Sequence, residues 1–259
     1  MKKLILFFIT LLITLNSYSQ NKTISKEELK IKNLISDFVS EEWRKVSHSK
    51  DSLLNLGESS IPYLIDLLNS PKAYNKLKNT IDLIYPGAEE FYGHGPIVNY
   101  DIDWIAIRAG WVLESLTFQD FGFLHNVISE KELMELHIKN YATYAETGKH
   151  KVNFKKSELK KLNGSIRKVK DWWKKNKNGW TPLIELKNAI FSTNTNRQLK
   201  ALDQMILVRY KIKGFNQKWF DKELKKRIIE LSKSKDDELS SYAKWILSLD
   251  IDENISDDD

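Results

Sequence analysis

The sequence predicts an all-α protein of stacked antiparallel helical hairpins with one long inserted loop. Three observations carry this expectation. Apolar residues recur at three- and four-residue spacing along most of the chain, and no alternating pattern of useful strand length appears. Start and stop signals cut that periodicity into segments of helix length. Turn residues are sparse, with 10 Gly and 5 Pro in 259 residues, which argues against a large all-β domain.

The elements follow in order. Ser25 with Glu28 three residues later forms a capping box. Leu29, Ile31, Leu34, Ile35, Phe38 and Val39 then recur at helical spacing. A second, short helix covers about 50–56 and stops at Gly57, a residue that tolerates the left-handed backbone of a helix end. Ser60 is expected to cap a third helix, with Pro62 in its first turn, where a missing N–H costs nothing. Tyr63, Leu64, Ile65, Leu67 and Leu68 make that helix apolar around most of its circumference. Ser70-Pro71 opens another helix, expected to run to about Tyr85. Residues 86–100 read as the long loop, because they hold three Gly and two Pro. A helix at about 102–117 has almost no polar face and is expected to be the most buried.

Further helices are expected at about 129–147, 156–177, 182–192, 197–211, 217–233 and 237–248. Ser157-Glu158 and Thr181-Pro182 serve as starts, Gly179 and Gly214 as stops. The acidic end, Asp250–Asp259, carries little apolar surface and is expected to be disordered. The helical domain thus spans 20–249, and a subdivision, if there is one, falls near 146–155.

Residues 1–19 have the three parts of a secretory signal peptide: Met-Lys-Lys, an apolar run from Leu4 to Leu15, and a small-residue end at Ser17 and Ser19. The run is shorter than the roughly 20 residues of a membrane span. Cleavage is expected near Ser19-Gln20, and the protein is expected to be exported to the periplasm or beyond. The Ser-Gln ending resembles signal peptides of the Bacteroidetes. Zero Cys excludes a disulfide framework, a thiol nucleophile, cysteine-ligated zinc and an acylated lipoprotein cysteine.

Charge is distributed unevenly. Residues 20–145 hold 13 basic and 18 acidic residues, residues 146–235 hold 25 and 8, and residues 236–259 hold one and nine. The basic block reads either as attraction to an acidic partner or as a set of solvated Lys-rich helix faces.

The segment from Leu53 to Leu68, with Leu56-Gly57 ending one helix, Ile61-Pro62 opening the next and Leu64 to Leu68 following, resembles a HEAT repeat. Ile107-Arg108-Ala109-Gly110-Trp111 is similar to that family's Val-Arg-x-x-Ala segment, with Trp111 where the family has Ala. Asp237 to Leu247 resembles a third, weaker copy. The resemblance covers about a third of the chain and implies a degenerate α-solenoid that binds and scaffolds.

Candidate sites are few. The long loop and its flank concentrate Glu89, Glu90, His94, Asp101 and Asp103 among Phe91, Tyr92 and Tyr100. This set reads as a partner-binding loop with aromatic anchors, as a carboxylate-rich metal site for Ca, Mg or Mn, or as a packed connector. Arg108 lies in the most apolar helix and must be paired, its expected partners being acids of the loop or of a neighbouring repeat. Trp172-Trp173 stand among Lys168, Lys170, Lys174, Lys175 and Lys177, either as a packed ridge or as a surface for sugars, anionic lipid or an acidic protein.

Enzyme motifs are absent: there is no Gly-x-Ser-x-Gly elbow, phosphate-binding Gly loop, dinucleotide fingerprint or His-Glu-x-x-His. The expected function is therefore a non-catalytic binding or scaffolding module of the cell envelope, one version being an immunity protein that occludes a toxin. Its surface is expected at residues 86–103 and the adjacent helix ends. The expected partner is an envelope protein, and the basic block favours an acidic one. Nucleic acid fits poorly with export, and no cofactor is expected. Two alternatives stand beside it: a metal-dependent envelope hydrolase centred on His94, Asp101 and Asp103, and a polyanion-binding adaptor using the basic block.

Overall fold

A computed structural model describes residues 25–40, 43–74, 105–123, 156–208 and 210–256. Every regular element among them is helical. The helices are α1 (Lys26–Phe38), α2 (Trp43–Asn55), α3 (Ile61–Asn69), α4 (Ile105–Thr117), α5 (Lys156–Asn176), α6 (Pro182–Ile190), α7 (Thr195–Leu207), α8 (Gln217–Glu223), α9 (Lys225–Leu231), α10 (Asp237–Ser248) and α11 (Ile251–Ser256), with 3-10 turns at Gly57–Ser60 and Pro71–Tyr74. The all-α class follows from the 3.6-residue periodicity as expected, and the packing is compatible with an α-helical repeat.

Helices that follow one another closely pack side by side: α1 on α2, α6 on α7, α9 on α10. α7 also packs on α10, so neighbouring pairs stack. α4 joins the two halves. It packs against α2 and α3 on one side and α5, α6 and α7 on the other. All its residues except the partly buried Trp111 and Ser115 are buried, as its sequence predicts. One apolar cluster runs from Ile31 and Phe38 through Leu64 and Leu113 to Leu202, Ile228 and Ile246.

Caps confirm several of the sequence signals. Ser25 Oγ accepts from the Glu28 N–H at 3.0 Å, and Thr181 Oγ1 accepts from the Ile184 N–H at 3.3 Å. Asn194, Asn216 and Asp236 cap α7, α8 and α10 in the same way. Each satisfies one of the four N–H groups that a helix start leaves unpaired. Gly57 takes the expected left-handed conformation, φ +60°.

Other expectations are corrected. Ser60 stands at the N-cap position of α3, but its side chain makes no cap bond; its buried hydroxyl donates to the Leu53 carbonyl at 2.7 Å and so satisfies the end of α2 instead. α2 begins at Trp43, well before residue 50. The 217–233 stretch is two helices, divided at Leu224, which turns fully into the core with φ −119°. α7 stops at Leu207, with Val208 as its left-handed cap, rather than near Gly214. The acidic end is not structureless: Asp250 Oδ1 accepts from the Asp252 and Glu253 N–H groups and starts α11. α11 buries Ile251 and holds Gln217 through two bonds, from the Gln217 N–H to Asp252 Oδ1 and from the Ile251 N–H to Gln217 Oε1. The expected leader, the expected continuation of the Ser70-Pro71 helix to Tyr85, the expected 86–100 loop and the expected 129–147 helix lie outside the described residues.

Candidate functional site

Between the two halves lies a polar seam. Glu114 projects from α4 and is 4% exposed. Its Oε1 accepts from the backbone N–H groups of Phe121 and Gly122, both at 2.8 Å, and of Phe123 at 3.3 Å. Its Oε2 stands 3.5 Å from Lys200 Nζ on α7. Burial holds this carboxyl above the usual carboxylate range, against the pull of Lys200 and of the backbone donors. Beside it, Arg197 donates to Glu185 and, at 3.0 Å, to the Phe118 carbonyl, while Gln119 donates to Glu185. Asp120 accepts from the amides of Asn194 and Asn196 at 3.2 and 3.1 Å. Partial burial raises the Asp120 carboxyl, but these amides and two lysines hold it below its ordinary value. Every carboxylate in the seam is satisfied from inside the protein, so the seam is a joint between halves.

The open site lies elsewhere. A groove of about 1210 Å³ runs between the end of α2 with its 3-10 turn, the start of α6 and the loop after α7. Leu54, Leu56, Leu183, Leu207 and Tyr210 supply its apolar lining. Asp51 and Glu58 stand on the wall formed by residues 51–59, and Lys211 and Lys213 on the loop opposite. The wall positions follow from three left-handed residues, Gly57 (φ +60°), Val208 (φ +40°) and Gly214 (φ +88°). Tyr210 fixes the loop. Its ring lies where a Cβ on Gly57 would approach to 3.0 Å, and its hydroxyl donates to the Leu116 carbonyl at 2.8 Å. Gln204 in turn donates to the Tyr210 carbonyl at 2.8 Å. Burial pushes the Tyr210 hydroxyl far above its ordinary pKa, with Glu58 adding to the effect, so it stays a donor.

Val208 is the unusual member, because a β-branched residue at positive φ is strained. The strain turns the chain from α7 into the groove wall. Replacing Val208 with Gly is expected to raise stability by about 1 kcal/mol, read as a higher urea midpoint at unchanged slope.

Of the residues singled out in the sequence, Glu89, Glu90, Tyr92, His94, Tyr100, Asp101 and Asp103 lie outside the described residues. No group of three or more metal-ligating side chains forms among those that are described. Arg108 is 2% exposed, and its described hydrogen bonds go to carbonyl oxygens: Nη1 donates to Phe38 at 2.7 Å and to Ser40 at 3.5 Å. It therefore closes the end of α1, with its guanidinium carbon 6.0 Å from the Phe38 ring centre. Trp172 and Trp173 are both half-buried and stacked, with centroids 5.8 Å apart. Trp172 also meets Phe121 and Trp180 edge-on at 5.7 and 6.1 Å. The pair does not divide between core and surface as adjacent helix positions suggest.

The groove residues were not foreseen as a site. The signals available were the Leu56-Gly57 stop and Gly214, each read only as punctuation. What the sequence pattern lacks is the contact across some 150 positions that brings them together.

No known family model matches this chain, and no curated protein or solved structure is similar to it.

Proposed function

We propose that the protein is a non-catalytic binding module, a HEAT-like helical repeat of the cell envelope, that holds an extended peptide segment of a protein partner in the groove between α2 and the 210–214 loop. One observation carries the reading: an aliphatic floor lies between a wall bearing Asp51 and Glu58 and a loop bearing Lys211 and Lys213. Opposite charges on two sides orient a chain that presents both a basic and an acidic side chain. The volume exceeds the roughly 300–1,000 Å³ of small-molecule pockets, which suits a polymer segment better than a metabolite. Residues 1–19 support export, and Leu53–Leu68 support the HEAT-like reading.

The test is a random-peptide display selection on the full chain, followed by fluorescence polarisation with the enriched peptides. Peptides carrying both signs of charge are expected. Glu58→Lys and Lys213→Glu are each expected to weaken them at least ten-fold, while Lys226→Glu on α9 changes nothing. Failure to enrich any peptide, or equal binding to the groove variants, overturns the reading.

A further inference from the structure

The basic block is not uniform once folded. In its second part about half of the cations are paired: Lys187 with Glu223, Arg197 with Glu185, Lys200 with Glu114, Lys222 with Glu223, Lys225 with Asp221 and Arg227 with Glu230. α5 is different. It buries Leu162, Ser165, Ile166 and Val169 on one side. Its other side exposes Lys160, Lys161, Arg167, Lys170, Lys174 and Lys175, and none of the six makes a salt bridge among the described residues. Among the described side chains of the helix, a single exposed acid, Asp171, lies on that face. At 1.5 Å per residue the six cations, from Lys160 to Lys175, span about 23 Å of the helix. Trp172 and Trp173, half-buried and stacked on each other, continue the buried side toward the end of the helix.

We propose that this face of α5 lies flat on an anionic phospholipid surface, a site separate from the groove. Two features favour that occupant over another polyanion. Lysine outnumbers arginine five to one among the six, and ammonium groups on flexible stems suit a diffuse negative surface, whereas nucleic acid is met by bidentate guanidinium forks. The face is one straight helix, which matches a plane. No helix among the described residues is long and apolar enough to cross a membrane, so the contact is peripheral.

The experiment is co-sedimentation of the full chain with vesicles of phosphatidylglycerol and phosphatidylcholine, set against vesicles of phosphatidylcholine alone. Binding is expected to the anionic vesicles only and to be lost at roughly 1 M salt, where the screening length falls to about 3 Å. The quadruple variant Lys160→Gln, Lys161→Gln, Lys174→Gln, Lys175→Gln, with its helicity checked by circular dichroism, is expected to bind at least ten-fold less. A variant that loses the same charge elsewhere, by neutralising Lys218, Lys222, Lys226 and Lys233, is expected to bind as the parent does. Equal loss in the two variants reduces the effect to net charge and overturns the site. So does binding to neutral vesicles, no binding at all, or complete transfer of the protein to duplex DNA or polyglutamate at equal charge concentration.

Discussion

Gly110→Ala is expected to be the most damaging small substitution in the protein, costing about 3 kcal/mol. Gly110 lies within α4, and the Phe123 ring sits against its Cα so closely that an added Cβ would fall inside the envelope of the ring's Cγ, Cδ1 and Cδ2. The ring cannot easily give way. Phe123 is fully buried, and the backbone N–H groups of residues 121–123 are held by Glu114. Overpacking of this kind typically costs 1–3 kcal/mol, and a clamped neighbour places it at the upper end. Gly164→Ala is the internal control. It too lies inside a helix, but nothing stands within 4 Å of its added Cβ. There the better helix propensity of Ala acts alone, and a gain of about 0.5–1 kcal/mol is expected. Urea unfolding of both variants against the parent gives opposite shifts. A neutral result at Gly110 means that Phe123 does not occupy this place.

Glu114→Ala is expected to cost about 3 kcal/mol or more, because it strands three buried N–H groups and an ammonium at once. Glu114→Gln keeps an acceptor oxygen and is expected to cost about 1 kcal/mol. The pair also separates charge from hydrogen bonding. The carboxyl of Glu114 titrates above its usual value because it is buried. The folded state therefore holds this proton more tightly than the unfolded chain, whose Glu titrates near pH 4.3. Between those two values the group lowers stability as pH rises, and above the native value the loss is complete. Unfolding curves across acid pH are expected to show that slope in the parent and to lack it in Glu114→Gln. An unchanged slope would assign the titration to another group.

Much of the fold was legible because local chemistry wrote it. Helix α10 begins and ends where its spacing says, since Asp236 caps its start. α4 announced its burial through Ile105, Ala106, Ile107, Ala109, Trp111, Val112, Leu113 and Leu116, which leave it almost no polar face. What escaped is non-local. Ser60 has the chemistry of a cap, yet a carbonyl seven residues earlier claims its hydroxyl. Val208 stops α7 against its own propensity, because the Tyr210 ring is seated on Gly57 and its hydroxyl on the Leu116 carbonyl. Glu114 is a lone acid in an apolar helix, the same signal that drew attention to Arg108, but its partners are backbone groups that no side-chain pattern reveals. Two hydrogen bonds of Arg108 likewise go to backbone carbonyls, of Phe38 and Ser40. The groove is invisible to a linear reading for the same reason: its walls come from three stretches that only packing brings together.

Helix α11 carries a consequence for assembly. A stack of helical pairs has an open face at its last layer, and a second molecule's layer fits such a face as well as its own continuation would. Here the final six helical residues fold back over α8, put Ile251 inward and leave Asp252 and Glu253 to the outside. Helix α11 thus covers α8 with exposed negative charge. A second layer added there would meet that charge first, carried by a short acidic stretch that composition alone marks as too polar to fold.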